Sequence, residues 1–395
     1  MTTLVLRPDG SVVAPDLTDE AAALAVALGG DRPAARPSRL GAPRLPRAAA
    51  VGLCVPRPLA ELSEAELWRW HRVGARLFRH GWRGRGACSW VAVKSELARR
   101  LLGPCRLCAR RCPVDRRTGE RGSCGLGPDA RCAGGTRLWG EESELGVPGL
   151  AWHVVGCGLR CRFCYRPELL TAAEGGAVPD HPLTPSLARR GNPSGAPPTF
   201  PLLAGGWSAS QDPPHPLGTD QAPLAPHATH LHLLGGNPDE SLAGLLPILV
   251  ARQDPLPVVW NTHAYLTREQ TALLEGVVDA VVADLKFGPG PCGRRVAGVR
   301  GYWPAATAAL RRLAGYDLRL IVRHVALPGH LACCAEPAAR WARAHLPRAR
   351  VRVLEQYEPW GAARDDPALA RRLNAAERRH VAALGDDPPE HGLER

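Results

Sequence analysis

Lysine is nearly missing from this 395-residue chain: of its 50 basic side chains only Lys94 and Lys286 are lysines. A net charge of +12 would ordinarily invite a nucleic-acid partner. The arginines are dispersed, however, apart from local pairs such as Arg110-Arg111 and Arg116-Arg117. A general bias towards arginine and alanine accounts for the sign of the charge, so nucleic acid is not an expected partner. There is no apolar run of about 18 residues, so no transmembrane helix is expected. The opening MTTLVLRPDG lacks the basic start and apolar core of a secretory leader. A cytoplasmic protein with no membrane partner is therefore expected. Where arginine is the default cation, a lysine suggests that a compact, flexible ammonium is wanted, and Lys286 lies in the segment ADLKF, just after an apolar run.

Cysteine is what the chain has. Seven of its 13 cysteines fall in two tight groups, which in a chain with no export signal reads as metal ligation rather than as disulfides. Cys157, Cys161 and Cys164 form the run CGLRCRFCY, spaced C-x3-C-x2-C. Three thiolates on one tight loop can hold three irons of a 4Fe-4S cluster and leave the fourth open to a small molecule, whereas a four-ligand site is closed. The competing reading, a zinc loop, wants a fourth ligand nearby, and no Cys, His, Asp or Glu follows before Glu168. Cys105, Cys108, Cys112 and Cys124, spaced C-x2-C-x3-C-x11-C, supply a full set of four for either zinc or a second iron–sulfur cluster. Gly122 and Gly125 flank the last of them, and Cys132 is a spare. Cys292, Cys333 and Cys334 have no assigned role.

The fold class expected is α/β. Residues 1–55, rich in Ala, Pro and Arg, read as partly disordered with a short helix from Asp19 to Leu28. Residues 56–104 read as helical: Ser63 and Glu66 make a capping box that opens one helix, and a second covers Val91 to Leu102. The cysteine module takes 105–140. From about 150 six short apolar runs follow: AWHVVG, HLHLLG, PVVWN, VVDAVVAD, LRLIVR and VRVLE. Separated by helical stretches, they argue for parallel strands in βα units, with functional residues at the polar strand ends. Between them 190–228 is broken by proline and glycine and reads as a disordered, insertion-like loop. Only Leu183 to Arg190 hints at the first crossover helix. Residues 361–395 read as a helical tail.

The run CGLRCRFCY resembles the signature of the radical S-adenosylmethionine (SAM) superfamily. The resemblance implies that the open iron is chelated by the amino and carboxylate groups of SAM, and that the reduced cluster cleaves SAM to a 5'-deoxyadenosyl radical that abstracts hydrogen from a substrate. It also implies a partial (β/α)6 barrel, TIM-like, spanning 141–360. LGGNP, with Gly235, Gly236 and Asn237, is similar to the family's Gly-Gly-Glu-Pro motif, which receives the methionine amino group. Asn237 replaces the glutamate, and Asp239 or Glu240 would have to supply the missing charge. Asn261, Asp284, Lys286 and Arg323 at strand ends would meet the ribose, amino and carboxylate groups, and Lys286, Asp284 and His324 are the candidate catalytic residues. His263 reads equally as a structural loop histidine, and Gln356 and Tyr357 as pocket floor or as structural.

The order of motifs, from the four cysteines through Gly140-Glu141-Glu142 to GGNP, VWNT, DLK, RHVALPG and QYEP, resembles uncharacterised radical SAM proteins related to pyruvate formate-lyase activating enzyme. The likeness covers about residues 90–360, excepting 190–228. It implies a substrate that is a glycyl radical enzyme, another protein or peptide, or a small molecule, with an electron donor such as flavodoxin or ferredoxin. Activating enzymes with extra cysteine modules carry them after the radical SAM loop; here the module precedes it. A metal-stabilised binding protein and a radical SAM fold without catalysis are the alternatives.

Overall fold

The computed structural model describes residues 42–138, 142–146, 149–173, 228–252 and 256–385, with Leu40, Val5–Leu6 and Val12–Val13. The expectations for Asp19 to Leu28, Gly140, Glu141, Leu183 to Arg190, nearly all of 190–228 and the tail beyond 385 lie outside the described residues. Within them the chain is a mixed α/β structure with ten α-helices and one seven-stranded sheet.

The strands are β1 (Cys132–Leu138), β2 (Gly149–Val154), β3 (Leu231–Gly235), β4 (Val258–Thr262), β5 (Ala280–Asp284), β6 (Arg319–Val325) and β7 (Arg350–Leu354). They lie side by side in chain order, parallel throughout except that β1 runs antiparallel to β2. The six apolar runs supply β2 to β7. The seventh strand, β1, sits inside the cysteine-rich stretch, where CAGGTRL carries two glycines and no apolar alternation to betray it. A six-residue helix, Glu168–Ala173, follows the second cysteine group, where no helix was expected.

The two faces separate by alternation. Leu233, Trp260, Val281, Ala283 and Val322 point into the main core with the helices. Val259, Ala280, Val282 and Ile321 point the other way and pack on Leu145. The segment holding Leu145 follows β1 yet reaches the far strands: Glu142 pairs with Arg323 at 2.9 Å and Glu144 with Arg350 at 3.2 Å. These ion pairs span the face opposite the helices. The described strands do not close into a barrel, since β1 and β7 are the two edges of the sheet. Among the described residues no helix is long and apolar enough to cross a membrane.

The N-terminal helices Glu64–Arg79, with the reciprocal Ser63–Glu66 capping box, and Trp90–Arg100 join this body through Trp90 and Lys94. Trp90 donates to the His71 carbonyl at 3.1 Å, and a Cβ on Gly74 would overlap its ring. Lys94 is fully buried. Its ammonium lies 3.9 Å from the Trp90 ring centre and donates to the carbonyls of Leu273 at 3.1 Å and Ala272 at 3.3 Å. It thereby caps the last turn of the helix Arg268–Leu274. The scarcity of lysine thus marks a structural position as well as Lys286.

Burial lowers the Lys94 pKa from 10.5 to about 7. Between those values the unfolded chain holds a proton that the folded chain does not, so stability rises with pH across that window. The wild-type urea midpoint should therefore rise relative to that of Lys94→Met from pH 7.5 to 9.5, since the buried thiols, which titrate in the same window, are common to both proteins. At pH 7.5 Lys94→Met should cost about 1–3 kcal/mol, because two buried carbonyls lose their donor. Equal pH slopes in the two proteins would contradict this assignment.

Candidate functional site

Strand β2 ends at Val154, and the chain turns through Gly156 at φ +87° into the cysteine loop. A Cβ on Gly156 would stand 2.7 Å from Leu126 Cγ and 3.0 Å from the Cys124 carbonyl oxygen, so the loop needs glycine to pass the preceding cysteine module. The Arg160 and Arg162 amides donate to the carbonyls of Ala297 and Val296 at 3.0 and 2.9 Å, which lays the loop on the end of the helix Cys292–Ala297. Cys157, Cys161 and Cys164 are free, partly buried thiols. Burial raises the pKa of all three. It pushes Cys161 up to about 12 against the pull of the Lys286 ammonium. Phe163 packs edge-on to Phe287 and Tyr357, each ring centre 6.2 Å away.

The Gly-Gly turn after β3 is occupied by protein. Gly235 has φ +113°, and a Cβ there would lie 2.8 Å from the Val154 amide nitrogen; one on Gly236 would overlap the Gly156 carbonyl oxygen. The two glycines therefore let β3 close onto the root of the cysteine loop. Asn237 is buried, with its Nδ2 donating to Glu240 Oε2 at 2.6 Å and lying 3.2 Å from His263 Nε2. Glu240 also accepts the Gly158 amide at 2.9 Å and lies 3.0 Å from His263 Nε2. Asp239 accepts from Trp260 Nε1 at 2.7 Å and Thr262 Oγ1 at 2.6 Å. Neither carboxylate is exposed to replace the charge missing at Asn237. His263 lies between the two. Burial works against its charge, but Glu240 and then Asp239 raise its pKa above 6.5.

Asn261, Asp284, Lys286 and Arg323 do come together. Asn261, Asp284 and Arg323 continue the alternation of Val259, Val282 and Ile321, one step nearer the strand ends. Arg323 donates to Asp284 at 2.9 Å, to Glu142 at 2.9 Å and to Asn261 at 3.0 Å, and Lys286 donates to Asp284 at 3.1 Å. Burial pushes the Asp284 carboxyl up, but Arg323 and Lys286 hold it well below the usual range. Burial likewise opposes charge on Lys286, and Asp284 and Cys161 outweigh it. The Tyr302 hydroxyl accepts the Lys286 amide at 2.8 Å and donates to the His263 carbonyl at 2.8 Å, linking this row to the buried triad.

His324 does not join the row. It shares its side of β6 with Val322, its Nδ1 lies 2.6 Å from the Leu285 carbonyl oxygen, and burial lowers its pKa to about 4. Gln356 is exposed; Tyr357 is buried and donates to the Leu369 carbonyl at 2.9 Å. His232, which the sequence did not single out, sits beside Val259 in the register, and its buried Nε2 has no partner among the described residues.

The first cysteine group packs against the second. A Cβ on Gly158 would stand 3.3 Å from Cys108 Sγ, and Arg110 donates to the Gly158 carbonyl at 3.0 Å. Buried Arg116 lies 3.9 Å from Cys105 Sγ and donates to the Glu240 carbonyl at 2.8 Å. Cys112 lies against Ser123 at 3.6 Å, and the spare Cys132 bonds to the Gly134 carbonyl at 3.3 Å.

One further group could hold a metal ion. Cys292, His330, Cys333 and Cys334 bring their ligand atoms within 4.8 Å of one another, and no other group does so among the described residues. The spacing His-x2-Cys-Cys was its local signal.

No family model matches the chain. It is similar to the uncharacterized protein MJ0674 of Methanocaldococcus jannaschii, 30% identical over 291 residues, which is 72% of this chain and 75% of that protein.

Removing charge from the buried Asp239–His263–Glu240 group tests its geometry. Glu240→Gln breaks a buried pair and should cost about 3–5 kcal/mol. Because the folded pKa of His263 is raised, its contribution is complete below pH 6.5 and fades as pH rises through the folded value. The destabilisation by Glu240→Gln, measured from urea midpoints, should therefore be larger at pH 5.5 than at pH 9. A pH-independent difference would contradict a charged His263–Glu240 pair.

Proposed function

We propose that this chain, which belongs to one family with the archaeal protein MJ0674, is a radical SAM enzyme related to pyruvate formate-lyase activating enzyme, with β2 to β7 as its partial (β/α)6 barrel. The observation that carries the reading is the placing of three free, partly buried thiols, Cys157, Cys161 and Cys164, on the loop after β2, with the Lys286 ammonium near enough to pull the Cys161 pKa down. Desolvated thiolates need a compensating cation, and the run C-x3-C-x2-C with no fourth ligand before Glu168 suits a 4Fe-4S cluster better than one zinc ion. The buried His232 Nε2 without a described partner and the polar row on the same face of the sheet suit a polar cofactor such as SAM. When bound, the cluster and SAM supply a 5'-deoxyadenosyl radical for hydrogen abstraction.

The protein's own residues then have separate tasks. Cys157, Cys161 and Cys164 ligate, and Lys286 stabilises the charge on Cys161. Asn261, Asp284, Lys286 and Arg323 offer donors and acceptors for the ribose, amino and carboxylate groups of SAM. Gly235, Gly236 and Asn237 act by positioning: through Glu240 they fix the Gly158 amide within the ligand loop. Cys105, Cys108, Cys112 and Cys124 hold a second metal, either zinc or an iron–sulfur cluster. The substrate is a protein, a peptide or a small molecule, and flavodoxin or ferredoxin is the class of electron donor.

One observation favours a second reading. Asn237, Asp239 and Glu240 are all engaged internally, so the Gly-Gly turn offers no carboxylate to the methionine ammonium. That suits a fold that keeps its cluster without cleaving SAM.

After anaerobic reconstitution with iron and sulfide, dithionite and SAM should yield 5'-deoxyadenosine in the wild type and none in Cys157→Ala or Cys161→Ala, read by chromatography. A cluster that forms without product would favour the second reading. Failure to take up iron would overturn both.

A further inference from the structure

We propose that Cys292, His330, Cys333 and Cys334 form a closed, four-ligand site for one zinc-class cation, which ties the loop after β5 to the loop after β6 and so fixes the helix that supports Cys157–Cys164.

The distances carry the assignment. Cys292 Sγ and Cys333 Sγ each lie 3.4 Å from His330 Nδ1, Cys292 Sγ lies 3.7 Å from Cys333 Sγ, and Cys333 Sγ lies 3.8 Å from Cys334 Sγ. A tetrahedral zinc ion with ordinary bond lengths sets its sulfurs about 3.8 Å apart and a sulfur and a nitrogen about 3.6 Å apart. Four of that tetrahedron's six edges are therefore already near these lengths, and the other two are no longer than 4.8 Å. A 4Fe-4S cluster binds each thiolate at a different iron and spreads them further. A Cys292–Cys333 disulfide would need the sulfurs at about 2 Å and would leave His330 and buried Cys334 unused.

The local structure serves the same centre. Leu331–Ala335 forms a single π-helical turn, a feature frequent at functional sites, and it brings two successive thiols to one place. A Cβ on Gly288 would overlap the Cys333 carbonyl oxygen, so the loop after β5 passes directly over this turn. Cys333 is exposed, giving an ion a way in, while Cys292 and Cys334 are buried. Cys292 opens the helix Cys292–Ala297, whose final carbonyls take the Arg160 and Arg162 amides of the cysteine loop. Metal, helix and loop form one chain of contacts, and all four ligands lie outside the two cysteine groups marked by sequence spacing.

The test uses the full chain, purified anaerobically and not reconstituted with iron, so its outcome is independent of the cluster. Zinc per chain is measured by mass spectrometry, and amide exchange is followed at Arg160 and Arg162. Cys292→Ser and His330→Ala should each lose one zinc equivalent relative to wild type, with exchange at both amides at least about 10-fold faster. His330→Cys, which keeps four ligands, should retain the zinc and the protection, and it guards against a variant that simply fails to fold. Unchanged zinc in Cys292→Ser and His330→Ala, loss of zinc in His330→Cys, or a Cys292–Cys333 disulfide in the anaerobic wild type would overturn the site. Loss of zinc with unchanged exchange would overturn its role as a tie.

Discussion

The Glu240 carboxylate is the constraint on which the site depends. It is fully buried, and it stays charged in that position because the Gly158 amide, Asn237 and His263 all converge on it. Each partner belongs to a different piece of chain: the cysteine loop after β2, the glycine turn after β3 and the end of β4. Arg116 binds the Glu240 carbonyl and so adds the first cysteine module to the same centre. A buried charge left without one of these partners would be strongly destabilising, so this one carboxylate ties the four segments together.

A second polar layer is built on top of this. The apolar stripe Val259, Val282 and Ile321 ends one residue pair later in Asn261, Asp284 and Arg323, and Tyr302 bonds across from Lys286 to the backbone of His263. The strand ends thus change from packing to chemistry within a single alternation. Glu142, arriving from beyond β1, completes the row from the opposite side. Lys286 bonds to Asp284 and acts electrostatically on Cys161, which is where the cysteine loop and the polar row meet.

Much of this was legible in the sequence, and the exceptions have physical causes. The six parallel strands announce themselves because strands buried on both faces read as apolar runs. Strand β1 is hidden by its glycines and by its place among metal-ligand candidates. The convergence of Asn261, Asp284, Lys286 and Arg323 follows from their position at strand ends, while His324, adjacent in sequence, falls on the other face because alternation allows only one of two neighbours inward. The Gly-Gly turn was visible, but not that its glycines are needed to clear Val154 and Gly156, since close backbone approach leaves no pattern in sequence. The meeting of Cys292 with His330 joins residues 38 apart, a separation that spacing rules for metal ligands do not reach.

The central claim is that a three-cysteine iron–sulfur cluster with an open iron binds SAM at the mouth of this sheet. Electron paramagnetic resonance of the anaerobically reconstituted, reduced protein tests it most directly, recorded with and without SAM. The account predicts a reduced 4Fe-4S signal with one component whose g values shift on adding SAM, and this SAM-responsive component is missing in Cys161→Ala. A spectrum in which SAM shifts no component, or a SAM-shifted component that persists in Cys161→Ala, would contradict it.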